Sequence, residues 1–126
     1  MEQKYLIDTN ILIYSLKGLF IKNEKMQEIF DKFFNISDIS EIELLGWKDA
    51  SFQDIMDARS FLSYAYIHPL TKEIKDLTIK IKQKNNIKLG DAIIAATAIY
   101  HNCILITRNT KDFEKIEDLE LYNPFE

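Results

Sequence analysis

The segment from Leu89 to Tyr100 places the strongest constraint on how this chain can fold. It is rich in alanine, and the run from Ala92 to Ala96 is apolar on nearly every side of a helix. Because such a helix has no polar face to turn towards water, it is stable only when other elements enclose it. A chain of 126 residues is long enough for one domain with a core of that kind. We therefore predict a buried helix over Leu89 to Tyr100, within a single domain spanning residues 1–126.

The remaining apolar segments predict a sheet between layers of helices. Tyr5 to Ile7 and Cys103 to Ile106 are apolar without alternation, which is typical of strands covered on both faces. Further strands are predicted at Ile36 to Ser40, Ala65 to Leu70 and Leu119 to Tyr122. Helices are predicted from Ile11, through Met26 to Phe34, over Glu41 to Trp47, over Phe52 to Tyr64 and through Ile74 to Ile81. Strands that alternate with helices predict a three-layer α/β/α fold with a central, mostly parallel sheet.

Cysteine usage and hydropathy indicate where the protein works. Cys103 is the only cysteine, so no intramolecular disulfide can form, and a reducing compartment is expected. Its apolar neighbours predict a buried structural thiol rather than a nucleophile. No apolar run approaches the roughly 20 residues that span a bilayer, and Asp8 interrupts the short apolar stretch near the N-terminus. We expect a cytoplasmic protein without membrane association.

Acidic and other polar residues follow the strands at the points where a parallel sheet binds its ligands. In such a sheet the binding crevice lies beyond the carboxyl ends of the strands. Asp8 follows the first strand, and Asp112 lies soon after the strand that ends at Ile106. Glu43 follows the second strand, and Asp91 opens the buried helix. The sequence therefore predicts four acidic side chains at one edge of the sheet.

Structural roles compete with a catalytic one for each of these acids. An aspartate at the start of a helix is usually a cap, which would explain Asp8 and Asp91. Glu43 alone would be read as a solvated helix residue, and Asp112 as a turn residue. However, Asp8 and Asp91 have apolar neighbours, where a carboxylate without a partner is unfavourable. The setting of these two aspartates therefore favours a functional cluster.

A cluster of carboxylates requires positive charge, because its members repel one another at neutral pH. Oxygen ligands of this kind suit hard divalent cations, so the sequence predicts Mg²⁺ or Mn²⁺. Zinc is not expected, because His68 and His101 are unpaired in the sequence and lie at the ends of elements. We expect these two histidines to be solvated or to cap helices.

Other chemistries and partners find less support. The three glycines stand apart, so there is no glycine-rich phosphate loop, and no Gly-x-Ser-x-Gly motif occurs. The net charge of −4 argues weakly against a general nucleic-acid-binding protein. Lysines crowd the segment from Lys80 to Lys88, however, and either RNA binding or a solvated helix face would explain them.

Four segments of the chain resemble motifs of the PIN-domain family, especially its VapC-type toxins. Tyr5 to Ile13 is similar to the opening of these proteins, and Ser40 to Gly46 to their second acidic motif. Leu89 to Ala98 and Leu105 to Phe113 are similar to the third and fourth motifs, and Leu121 to Phe125 to the ending. The resemblance spans nearly the whole chain in the correct order. It implies a PIN-like fold and a metal-dependent endoribonuclease that hydrolyses RNA phosphodiesters.

The resemblance also implies roles for individual residues. The catalytic and metal-ligating acids would be Asp8, Glu43, Asp91 and Asp112, with Glu41 an alternative to Glu43 and Asn109 an alternative to Asp112. Supporting polar residues would be Thr9, Asn10, Thr107 and Asn109. Arg108 and Lys111 are candidates for binding the substrate.

The partners that the resemblance implies are an RNA substrate, a cognate antitoxin and a second copy of the chain in a homodimer. The apolar stretch from Tyr14 to Ile21, with Trp47 and Phe52, would offer the antitoxin a groove, although core packing would also explain about half of these residues. Two other functions compete. One is a catalytically inactive PIN-like module that binds RNA or protein, and the other is a nuclease acting on DNA flaps. The length of the chain disfavours the second, because it leaves no room for an additional DNA-binding region.

Overall fold

The computed structural model describes residues 3–126, which contain five strands and seven helices. In chain order these elements are β1 (Lys4–Ile7), α1 (Thr9–Leu16), α2 (Glu24–Asp31), β2 (Phe34–Ser37), α3 (Asp38–Leu45), α4 (Phe52–Leu62), β3 (Ala65–His68), α5 (Lys72–Lys84), α6 (Leu89–Tyr100), β4 (Cys103–Ile106), α7 (Thr110–Phe113) and β5 (Leu121–Tyr122). None of the helices in this range is long and apolar enough to cross a membrane.

The five strands form one sheet in the order β3-β2-β1-β4-β5, and every neighbouring pair is parallel. Leu6 of β1 lies opposite Asn35 of β2 on one side and opposite Leu105 of β4 on the other. From β1 the chain first proceeds outwards to β3 and then returns to the opposite side of β1 with β4. The strand order therefore reverses between β1 and β4, the position at which open parallel sheets bind ligands.

Helices cover both faces of the sheet and complete the predicted three-layer α/β/α fold. Adjacent residues of β1 point to opposite faces, and Leu6 and Ile7 are both fully buried. Leu6 belongs to a core cluster with residues of α5 and α6, and Ile7 to a second cluster with residues of α1 to α4. Helix α6 has the predicted bounds, and all its residues from Ala92 to Ala98 are buried. The prediction of an enclosed helix is confirmed.

The structure corrects the boundary between α2 and β2. We predicted a helix through Phe34, but α2 ends at Asp31 and Phe34 begins β2, where it lies opposite Ala65 of β3. Phe33 is 79% exposed and Phe34 only 2%, which is the alternation of a strand rather than the stripe of a helix. Pairing with β3 thus overrides the local helical spacing. Phe33 therefore lies outside the core.

The second strand also ends earlier than predicted, at Ser37 rather than Ser40. The Ser37 hydroxyl accepts a hydrogen bond of 3.2 Å from the backbone N–H of Ile39, so it caps α3, which begins at Asp38. Helix α7 was not predicted at all. It carries Asp112, which therefore lies on a short helix and not in a turn.

The prediction for the histidines was wrong for His68, which is buried. Its ring stacks on that of His101 with 4.0 Å between centroids, and its Nε2 atom pairs with Oδ1 of Asn35 at 2.9 Å. His101 occupies the C-cap position of α6, but its Nε2 atom is buried without a hydrogen-bond partner. The prediction for Cys103 is confirmed, because the thiol is buried and its burial raises its pKa to about 11.

Candidate active site

Asp8 lies at the point where the strand order reverses. It follows β1 directly, and its backbone N–H donates to the carbonyl of Ile106 at the end of β4, over 3.0 Å. Although Asp8 occupies the N-cap position of α1, its side chain makes no capping hydrogen bond. Its carboxylate instead accepts a hydrogen bond of 2.8 Å from the Thr107 hydroxyl. The side chain is only 4% exposed, so the explanation of Asp8 as a helix cap does not hold.

Thr107 connects Asp8 with the loop that follows β4. It is fully buried, and its hydroxyl oxygen accepts a hydrogen bond of 3.1 Å from the backbone N–H of Asn109 while its proton goes to Asp8. Asn109 occupies the N-cap position of α7 but makes no side-chain capping bond. Asn109 is thus tied to the site through its backbone.

Glu43 reaches the site from α3. Its Oε1 atom accepts a hydrogen bond of 2.6 Å from the Thr9 hydroxyl, which also shares a hydrogen bond of 2.9 Å with the hydroxyl of Ser40. A Cβ atom at Gly90 would lie 3.2 Å from Oε2 of Glu43, so the absence of a side chain there lets the carboxylate approach α6. The structure therefore brings Glu43, and not Glu41, to the neighbouring acids.

Asp91 and Asp112 complete the group of four acids. Asp91 is the third residue of α6, a helix that begins without a side-chain capping bond. Burial raises the pKa of Asp91, and the charges of Asp112 and Glu43 raise it further, while Lys88 acts in the opposite direction. The influence of Asp112 places it near Asp91, although Asp112 itself is exposed on α7.

Electrostatic repulsion links these carboxylates. The pKa of Asp8 is raised from its ordinary value of 3.8 to about 6, chiefly by burial and also by the charges of Asp91 and Glu43. The hydrogen bond from the Thr107 side chain and the nearby backbone N–H of Thr9 act in the opposite direction. No cation within residues 3–126 is among the groups that shift the pKa of Asp8. The site thus concentrates negative charge, which Lys88 offsets in part at Asp91.

The acids carry the oxygen ligands that a hard cation prefers, but their side chains do not form a complete metal site. Within residues 3–126, no group of three acidic, histidine or cysteine side chains is arranged to hold one metal ion. Mg²⁺, however, usually keeps several waters and binds through one or two carboxylates together with substrate phosphates. The oxygen ligands of Asp8, Asp91 and Glu43 fit that mode of binding.

The other predicted site residues lie around the acids. Asn10 is exposed in the first turn of α1, and Lys111 is exposed on α7. The Arg108 guanidinium lies over the ring of Phe125, with 4.4 Å between Cζ and the ring centroid. Sequence reasoning assigned no role to Ser40 or Phe125. Ser40 lies one helical turn before Glu43, a spacing that would have identified it, whereas nothing local indicated Phe125.

Two cavities lie away from the acids. A cavity of about 810 Å³ is lined by Lys4, Lys25 and Lys32 beside the exposed ring of Phe33, and by none of the four acids. A smaller one, of about 190 Å³, lies between α1, α3 and α4 and is lined by Leu16 and Trp47. The four acids therefore lie outside both of these cavities.

Comparison with known proteins gives consistent matches. The family model described as PIN domain matches residues 5–119. A protein named Ribonuclease VapC from Rickettsia bellii is 48% identical over 40 residues, which are 32% of this chain and 30% of that relative's length. That match therefore covers less than a third of the relative.

Solved structures match over almost the full length. A toxin–antitoxin complex from Klebsiella pneumoniae contains a chain with 35% identity and a TM-score of 0.80, covering 98% of this chain and 99% of that one. The structure of VapBC2 from Rickettsia felis, bound to a DNA fragment from their promoter, contains a chain with 27% identity and a TM-score of 0.78. That match covers 96% of this chain and 98% of the other.

Proposed function

This chain belongs to the PIN domain family, and on that premise we propose that it is a metal-dependent endoribonuclease, the toxin of a toxin–antitoxin pair. The observation that carries the proposal is the buried Asp8 carboxylate, which lies at the reversal of the strand order beside Asp91 and Glu43 without a cationic partner. The likeness to Ribonuclease VapC supports the choice of RNA as substrate, and the likeness to the Klebsiella complex supports the role of a toxin.

In this proposal the four acids hold Mg²⁺ or Mn²⁺. Asp8, Glu43 and Asp91 would supply ligands directly, and Asp112, which is exposed on α7, would act through a bound water. When bound, such an ion supplies Lewis acidity and neutralises the charge that develops on the phosphate. No side chain is needed as a nucleophile, because water attacks the phosphorus in this class of hydrolysis.

The polar residues around the acids would keep the carboxylates in position. Thr107 holds Asp8, and Thr9 holds Glu43, each through a hydroxyl that donates to the carboxylate. Hydroxyl groups that donate to a metal-binding carboxylate fix its orientation, and their loss typically affects metal affinity or activity by about 10- to 100-fold. Asn10, Asn109, Arg108 and Lys111 would contact the RNA strand or its waters from the rim.

An antitoxin would bind at the apolar groove between α1, α3 and α4. Leu16 and Trp47 line this groove and are 39% and 56% exposed. Phe20 belongs to the core instead, since it is buried, and Phe52 is exposed but does not line the groove. In this proposal the active form is a homodimer. A purified chain that is monomeric and does not bind the protein encoded by the adjacent gene would contradict this part of the proposal.

The decisive experiment is an RNA cleavage assay with the purified chain in Mg²⁺, in Mn²⁺ and in EDTA. We expect metal-dependent cleavage that is lost in EDTA and in Asp91→Asn, but kept in Asp31→Asn, which removes an exposed charge at the end of α2. Cleavage that persists in Asp91→Asn would identify a contaminating nuclease. RNA binding without any cleavage would favour the inactive PIN-like module.

A further inference from the structure

The Arg108 guanidinium lies against two aromatic rings beside the acidic site. Its Cζ atom lies 4.4 Å from the centroid of the Phe125 ring and 5.7 Å from that of Tyr14. The arginine follows Thr107 directly, and Thr107 donates to Asp8. Arg108 is therefore one residue away from the hydrogen bond that holds the most deeply buried acid.

The C-terminal segment from Asn123 to Phe125 is fixed in place by several contacts. The Phe125 ring packs edge-on against Tyr14 and at a tilt against Phe20, each with 5.4 Å between centroids. The Asn123 side chain accepts a hydrogen bond of 2.9 Å from the backbone N–H of Phe125 and donates one of 3.4 Å to the carbonyl of Arg108. Asn123 thus forms hydrogen bonds with the backbone of both Arg108 and Phe125, the residue whose ring lies against the guanidinium.

Arg108 keeps its charge available despite the nearby acids. No carboxylate in the described part of the chain forms an ion pair with it, and its partners are the two aromatic rings. A guanidinium that lies on a ring keeps the N–H groups at its rim free to donate. The N–H groups of arginine match the geometry of a phosphate better than the donors of any other side chain do.

We infer that Phe125 is a positioning residue, which holds Arg108 where its guanidinium binds a phosphate of the RNA strand beside the acidic site. The C-terminal segment is then part of the substrate-binding surface. This inference rests on the proposed function, because it assumes that RNA is the substrate. It differs from that proposal in assigning a role to a residue that touches neither metal nor scissile phosphate.

The test is a double-mutant cycle on RNA binding. All proteins carry Asp91→Asn so that RNA stays intact, and the probe is a fluorescein-labelled single-stranded RNA titrated at several salt concentrations in Mg²⁺. Phe125→Leu removes the ring but keeps an apolar side chain, whereas Phe125→Tyr keeps the ring. Arg59→Ala is the matched control, because Arg59 is the only other arginine in the chain and is exposed on α4.

We expect Phe125→Leu to weaken binding about two- to fivefold, as the loss of an exposed cation–π contact does, and Phe125→Tyr to restore it. Arg108→Ala should lower the slope of log affinity against log salt by about 0.7, the value for one phosphate contact on a single strand. Adding Phe125→Leu to Arg108→Ala should have no further effect. Arg59→Ala should leave binding unchanged.

Three outcomes would overturn the inference: no measurable RNA binding, an unchanged affinity in Phe125→Leu, or effects of Phe125→Leu and Arg108→Ala that simply add. Thermal unfolding of Phe125→Leu distinguishes the loss of the ring contact with Arg108 from a loss of the fold. The recovery in Phe125→Tyr provides a second check. If the unsubstituted chain fails to cleave RNA but the cycle shows coupling, the nuclease proposal is wrong and the role of Phe125 in positioning Arg108 is supported. If cleavage is observed without coupling, only the role of Phe125 is wrong.

Discussion

The Thr107 hydroxyl donates a hydrogen bond of 2.8 Å to the Asp8 carboxylate, although the two residues are 99 positions apart in the chain. This bond joins the ends of β1 and β4. This bond favours the ionised form of a carboxyl group whose pKa is otherwise raised by burial. Thr107 is therefore expected to control how readily Asp8 becomes a negatively charged ligand.

Replacing Thr107 with valine should reduce cleavage about 10- to 100-fold, the usual effect of losing a hydrogen bond that orients a metal-binding carboxylate. Valine keeps the shape of threonine but cannot donate, so the pKa of Asp8 should rise further. The acidic limb of the pH–rate profile should then move to higher pH. Thr107→Ser keeps the donor and should keep the profile of the original protein; an unchanged profile in Thr107→Val would refute the role of this hydrogen bond.

Replacing Asp8 with asparagine should abolish cleavage and yet stabilise the metal-free protein at neutral pH. The pKa of Asp8 is about 6 in the folded protein and 3.8 as its ordinary value, so ionisation disfavours the fold. This penalty is absent below pH 3.8, grows as the pH rises towards 6 and is complete above it. At about 1.4 kcal/mol per pKa unit it amounts to about 3 kcal/mol.

Thermal unfolding in EDTA at a series of pH values measures this effect. The stability gained by Asp8→Asn should be largest above pH 6 and should shrink towards pH 4, and Asp31→Asn, at an exposed position, should show no such trend. A marked loss of stability in Asp8→Asn would instead mean that the carboxylate is required by the fold.

Replacing Gly90 with alanine should weaken metal binding without weakening the fold. The new Cβ atom would lie 3.2 Å from Oε2 of Glu43 and would displace this flexible carboxylate and its bond to Thr9. Alanine favours a helix over glycine by about 1 kcal/mol, so the melting temperature should stay the same or rise. We expect the affinity for Mn²⁺ in calorimetric titration to fall about tenfold. An unchanged affinity would show that Glu43 needs no access past Gly90.

The stacked histidines should make the protein less stable in mild acid. The pKa of His68 is lowered from 6.5 to about 4, chiefly by burial and also by the neighbouring His101 and Lys4. The unfolded chain therefore binds this proton more readily than the folded one, and stability is lost as the pH falls from 6.5 towards 4. This trend is opposite in sign to that of Asp8.

His68→Phe separates the two trends, because phenylalanine keeps the ring in the stack but cannot be protonated. In urea unfolding we expect the variant to lose less stability than the original protein over this pH range. It will forgo the hydrogen bond to Asn35 at every pH, which lowers its stability by a constant amount. Parallel curves for the two proteins would mean that His68 does not titrate in this range.

Much of the fold could be predicted because it depends on local pattern. The bounds of α6 and β4 agree with the prediction, since an apolar run without a polar face has to be enclosed wherever it lies in the chain. The positions of Asp8 and Asp91 followed in the same way. Asp8 comes directly after a strongly apolar strand, and Asp91 lies at the start of a strongly apolar helix. The parallel sheet brings those ends to one edge.

What the sequence by itself determined is therefore the layered parallel architecture and the edge at which the acids meet, because both follow from residues that are neighbours in the chain. Only the tertiary structure decided that Glu43 rather than Glu41 reaches Gly90, that Phe34 belongs to a strand, and that Phe125 lies under Arg108. Each of these depends on packing between segments that are far apart in sequence, and the periodicity of one segment contains no information about the partner it will meet.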